Sequence, residues 1–206
     1  MLVGLFLTIS ILFAQGNQLN MPKEFQGIYY GMSLVEFLKI RPNVRVNLVK
    51  TGSYEKADIT KPNQTLEERI KNTPFKGIEM LGLYSFKEGR LDTFVVIWEG
   101  LFEEMRGLNN QFIKERIKNW GREFEAKVVV RGETQMPSLI WKKNKVLICV
   151  NCSAEPLEGK GFILMSFSSL GDPFSLSVLQ EKKVDARTKK MLFEKIGVQI
   201  QEENKE

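Results

Sequence analysis

The sequence contains no histidine and only two cysteines in 206 residues. Without imidazole there can be no Ser-His-Asp triad, no Cys-His pair and no His-ligated metal, which removes the commonest acid/base and zinc chemistries. Neither a Walker A pattern nor a dinucleotide-binding glycine signature occurs, and the 16 glycines are scattered as turn punctuation. There is little net charge: 30 Lys and Arg against 25 Asp and Glu leave +5. With 43% hydrophobic and 27% charged residues, the composition is that of a globular chain. It excludes collagen, a long coiled coil, a wholly disordered chain and a polytopic membrane protein.

One apolar run stands out, Leu2 to Phe13, broken only by Gly4, Thr8 and Ser10. It is too short to span a hydrocarbon core of roughly 30 Å comfortably. Ala14-Gln15-Gly16 follows with small residues at the positions a signal peptidase reads. Residues 1–16 are therefore expected to be a cleaved export signal, although no Lys or Arg precedes the run. No cysteine follows it, so a lipoprotein anchor is not available. The expected product is a periplasmic or secreted chain without a transmembrane span, made of one domain over 17–180 and a charged C-terminal helix and tail over 181–206.

Local signals then place the elements. Ser33 and Glu36 have capping-box spacing ahead of Leu34, Val35, Phe37, Leu38 and Ile40, a short helix that Pro42 stops at Arg41. Residues 50–65 are polar and read as a surface loop. Thr65 and Glu68 repeat the capping-box spacing, which predicts a helical turn or two over Leu66 to Lys71. Ile78 to Phe86 and Leu91 to Trp98 form a hairpin about Lys87-Glu88-Gly89-Arg90, with Gly89 suited to positive φ. Glu103 to Trp120 carries apolar residues at three- and four-residue spacing up to Gly121 and reads as the main helix. Strands are expected over Phe124 to Arg131, then, past a Gly132 to Pro137 loop, over Ser138 to Lys142, Lys145 to Val150 and Gly161 to Phe167. Met191, Leu192 and Ile196 would dock a last short helix. The fold class that follows is α+β, an antiparallel sheet with helices packed on one face. The order of elements also suggests two degenerate helix-plus-sheet repeats, over about 25–100 and 101–170.

Several of these segments carry a likeness. Phe25-Gln26-Gly27-Ile28 followed by Gly31-Met32-Ser33-Leu34-Val35-Glu36-Phe37 resembles the opening of small exported bacterial α+β modules. The hairpin Tyr84 to Leu91, a helix ending near Trp120-Gly121, and Leu139-Ile140-Trp141 continue it. The pattern is similar to the superfamily of β-lactamase inhibitor proteins and small outer-membrane-assembly lipoproteins. The resemblance implies a non-catalytic, protein-binding module of the cell envelope, and it transfers no functional residue.

Candidate chemistry is sparse. Cys149 and Cys152 form a C-x-x-C pair, and in an exported chain with two cysteines a local disulfide is the default expectation. Residues i and i+3 of a flat strand point to opposite faces, so closure requires the strand to end and turn there. A redox role needs the first thiolate at a helix N-terminus, and Ser153 to Gly159 offers no long helix. A zinc site lacks its remaining ligands. Lys114 and Lys118 on the long helix, with Lys142, Lys143 and Lys145 on the second hairpin, are a candidate basic surface, interrupted by Glu115. The pairs Glu67-Glu68 and Glu103-Glu104 are adjacent in sequence and do not face each other on a helix.

The sequence thus leads to an exported protein with no catalytic residues, metal or cofactor, binding another envelope or extracellular protein rather than nucleic acid. Its alternatives are a thiol-disulfide redox protein using the cysteine pair and a soluble carrier of an apolar ligand.

Overall fold

The computed structural model describes residues 27–48, 53–70, 78–131, 134–143, 146–169 and 180–200. Its first helix, α1 (Leu34–Ile40), starts as the sequence specifies. The Glu36 backbone N–H donates to Ser33 Oγ at 3.2 Å, while the Ser33 N–H donates to Glu36 Oε2 at 3.1 Å. The Ser33 side chain and N–H together hold the Glu36 carboxyl below the usual carboxylate range.

Five strands follow: β1 (Arg45–Leu48), β2 (Ser53–Lys56), β3 (Gln64–Ile70), β4 (Glu79–Lys87) and β5 (Arg90–Leu101). After α2 (Phe102–Trp120) come β6 (Glu125–Arg131), β7 (Thr134–Lys143), β8 (Val146–Cys152), β9 (Lys160–Ser169) and the two-residue β10 (Gln180–Glu181), then α3 (Ala186–Lys195). All pairings are antiparallel, in the order β10-β6-β7-β8-β9-β5-β4-β3-β1-β2. The α+β class is as expected: an open antiparallel sheet of nine principal strands plus β10, with three helices among the described residues. Strands β5 and β9 meet at the centre. Reading outward from them, β4, β3 and β1 lie on one side and β8, β7 and β6 on the other.

One apolar rung crosses seven strands on the helix-bearing face. It runs Val46, Leu66, Tyr84, Phe94, Phe167, Ile148, Trp141, each residue the cross-strand partner of the next. Tyr84 stacks on Phe94 and Phe94 on Phe167, with ring centroids 5.2 and 5.4 Å apart. The helices close over this rung from two sides. Phe37 of α1 sits 4.6 Å from the Tyr84 ring. Trp120 of α2 packs edge-on against Trp141 and Phe167 at 5.4 and 6.0 Å. Trp141 Nε1 donates to the Gly121 carbonyl at 2.9 Å, satisfying both the indole and a helix-end acceptor. From α3, Leu192 and Phe193 enter the same core; Met191, expected to dock, is 46% exposed.

The structure corrects the sequence reading at three places. Residues 50–65 are not one loop, because β2 lies within them and β3 begins at Gln64. The helical turns expected after Thr65 are strand β3: Leu66 is fully buried opposite Tyr84, and that non-local pairing outweighs the local capping-box spacing. Residues Thr134 to Pro137, expected in a loop, belong to β7. Pro137 pairs toward β6 and lies one residue beyond the β7–β8 ladder, so its missing N–H costs that ladder nothing. The expected export signal, Lys145 and the tail from Gln201 lie outside the described residues.

Candidate functional site

The cysteine pair is the first test of chemistry, and the expected disulfide is not formed. Strand β8 continues straight through Cys152 instead of turning, so the two side chains stand on opposite faces of the sheet. Cys152 pairs with Ile163 and joins the core beneath the helices. Cys149 lies between Ile140 and Ser166 on the other face. Both are fully buried, and burial pushes the Cys152 thiol up from its ordinary range. A sealed thiol held protonated is a poor nucleophile. Among the described residues no group of three or more acidic or Cys side chains is placed to hold a metal.

The basic residues do not gather into one patch. Lys114 and Lys118 are exposed on the outer side of α2. Because Trp141 faces that helix, Lys142 projects from the opposite face of the sheet, and Lys143 stays half-buried at the end of β7. A cleft beside α2, walled by Trp98, Met105, Leu108, Phe112 and Ile163, encloses only about 50 Å³. Pockets for small molecules begin at roughly 300 Å³, so this cleft gives an apolar ligand no room.

Two of the segments quoted for the resemblance, Gly31 to Leu34 and the Tyr84 to Leu91 hairpin, come together in space in a structural role. The Gly31 N–H donates to Leu91 O, the Leu91 N–H to Met32 O and the Leu34 N–H to Gly89 O, at 2.8 to 2.9 Å. Arg90 Nη1 adds a bond to the Gly31 carbonyl at 3.0 Å. The glycine-rich opening is thus zipped onto the start of β5 and seats α1 on the hairpin. On its other side, the Glu88 N–H donates to Asn63 Oδ1 at 2.8 Å.

What the chain offers outward is the face of the sheet away from the helices. Over β6 to β9 this face is closed: Val129, Met136, Ser138, Ile140, Cys149, Asn151 and Ser166 are all buried. Over β3 to β5 it is less closed, although Glu67, Thr93 and Val95 are buried on it as well. Leu81 and Leu83 on β4 and Ile97 on β5 are half-buried, with Leu81 directly opposite Ile97 and Leu83 opposite the better-covered Val95. Beyond this aliphatic strip, the margin on β1 to β3 is basic. Lys56 pairs across strands with Arg45, and Arg45 with Glu67, which puts all three on this face. Arg69, opposite Leu81, is 61% exposed and bridges to the buried Glu67 at 3.1 Å. Lys87 is exposed at the hairpin end of the strip, and Glu79 and Glu99 lie at the other.

Sequence reasoning missed this surface because three of its strands were not read as strands. The one available signal was the alternation in Glu79 to Lys87, whose odd positions interleave with the core positions Met80, Gly82, Tyr84 and Phe86. No family model, curated protein or solved structure matches the chain.

Proposed function

We propose that this chain is an exported, non-catalytic module of the cell envelope that binds another protein. The observation that carries the reading is the partly buried Leu81, Leu83 and Ile97 strip, set among charged residues on the helix-free side of the sheet. An aliphatic centre with a polar rim is the usual anatomy of a protein interface. Export rests on the Leu2 to Phe13 run and the small residues after it. The likeness to β-lactamase inhibitor proteins and outer-membrane-assembly lipoproteins supports the same class of work. No helix among the described residues is long and apolar enough to cross a membrane.

The test is site-specific photo-crosslinking in the native host. A photoreactive residue at Leu83 or Ile97 is expected to give one discrete adduct, and the same group at Lys114 on the outer side of α2 none. Absence of adducts from both strip positions would sink the reading. Intact mass of the exported protein checks the compartment, with a chain starting at Asn17 as the expected result.

A further inference from the structure

The reading of a protein-binding strip leaves the partner's chemistry open, and the charges around the strip narrow it. Resting on that reading, we infer that the strip receives an acidic amphipathic helix of the partner protein.

Three features of the surface converge on this occupant. The first is width. Adjacent strands lie about 4.8 Å apart, so the Leu81–Ile97 and Leu83–Val95 pairs form a band two strands wide. A helix with its side chains is about 10–12 Å across and covers such a band. An added strand would instead bond to a sheet edge, and β4 and β5 are interior. The second is length. The apolar pairs run from Leu81 to Leu83, about 7 Å at about 3.4 Å per residue, which is the reach of one to two helical turns, and charged residues lie beyond them at both ends of β4. A helix laid on an open aliphatic sheet face is also how layered α+β folds complete themselves.

The third is charge. Lys56 and Arg45 are exposed and directly opposite each other across strands, an arrangement that is unfavourable unless negative charge is supplied. Glu67 supplies some, but it is buried and bridged to Arg69. With Lys87 at the hairpin end, the margin beside the strip is, among the described residues, an arc of three cations, Arg45, Lys56 and Lys87, besides the bridged Arg69. A helix whose flank carries Asp or Glu meets that arc while its Leu or Ile side chains meet the strip. At the other end Lys160 already bridges Glu99, so direction is set by the β1–β3 margin alone: the bound helix places its acidic flank toward β1–β3.

Two synthetic 18-residue peptides test this. Both carry leucines at helical three- and four-residue spacing; one has a glutamate flank and the other a lysine flank. Methyl-detected NMR on the full exported chain is expected to show Leu81, Leu83 and Ile97 shifting on addition of the glutamate peptide. That peptide should bind at least about tenfold tighter than its lysine twin at low salt, and lose the advantage as salt rises. The exposed double variant Arg45→Glu, Lys56→Glu is expected to reverse the preference. Equal binding of the twins, or shifts confined to other methyls, overturns the inference. So does binding of phosphatidylglycerol vesicles through the same methyls without binding of either peptide, which would assign the face to an anionic membrane surface. If Leu83 crosslinks form in the host and the twins are not discriminated, the acidic helix is rejected while the module reading stands. If no crosslinks form from the strip, the reading and the inference fall together, whether or not the glutamate peptide binds.

Discussion

Gly82 and Tyr84 stand two residues apart on the same face of β4, and the tyrosine ring lies back over the glycine. A Cβ at Gly82 would come within 2.6 Å of Tyr84 Oη and 2.9 Å of Cζ. The ring cannot step aside, because it is held between Phe37 and Phe94. Gly82→Ala is therefore expected to cost about 1–3 kcal/mol in urea unfolding, as overpacking does, whereas a glycine to alanine change in an uncrowded strand gains a few tenths. Cys152 governs a different property. Burial raises its folded-state pKa above the ordinary thiol value near 9.0, and burial likewise raises Tyr84 above 10.0. A raised folded pKa means that the unfolded chain releases its proton first as pH climbs. The stability these groups contribute is thus complete at neutral pH and is lost above about pH 9, at about 1.4 kcal/mol per pH unit for each deprotonating group. Denaturant curves from pH 7 to 10.5 should show this decline, and Cys152→Ala should flatten its first part. At neutral pH neither cysteine should react with a bulky thiol reagent until the chain is unfolded.

At the scale of elements, the β4–β5 hairpin turns through Glu88 and Gly89, both at positive φ, 52° and 72°. That is the geometry of a type I′ turn, where Asn-Gly is the preferred pair and glutamate is poorly suited. Its backbone N–H to Asn63 survives any side-chain change. Glu88→Asn is expected to stabilise the protein by about 0.5–1 kcal/mol, read as an upward shift in thermal midpoint. This hairpin, α1 and α2 were legible in the sequence because their signals are local: a capping box, a turn glycine, apolar residues at helical spacing. Strands β1 to β3 were not. Gln64-Thr65-Leu66-Glu67-Glu68-Arg69 carries the spacing of a helix start, and only the partner strand, placing Leu66 against Tyr84, makes it a strand. The disulfide failed for a related reason. Closure requires β8 to end and turn at Cys152, but the seven-residue pairing with β9 keeps it extended to its last residue. The candidate surface depends on those same strands and was correspondingly hidden.

For the whole molecule, the decisive junction is the eight-residue ladder between β5 and β9, which brings residues 94–101 against 160–167. It joins the strands that follow α1 to those that follow α2, and α2 lies across it. The crossing is tight at Gly161, where a Cβ would sit 2.8 Å from Met105 Cβ and 3.2 Å from Phe102 Cα. Backbone cannot yield as a side-chain tip does. Gly161→Ala should therefore cost about 1–3 kcal/mol, and hydrogen exchange should show protection falling in β4 and β8 together rather than in one half alone. Independent loss of either half would mean that the ladder does not couple them.

The lengths of the strands also bear on how this molecule behaves in company. The sheet is broad in the middle, with twelve residues in β5 and ten in β9, and dwindles to four in β2 and two in β10 at its rims. Those rims carry Glu55, Lys56 and Glu181, all exposed. A neighbouring chain arriving side-on at β2 or β10 meets charged residues and only two to four residues of ladder. Among the described residues, the longer stretches open to a neighbour are those of β6 and β3 that these short strands leave uncovered, so a charge reversal or deletion at the rims would act on association there first.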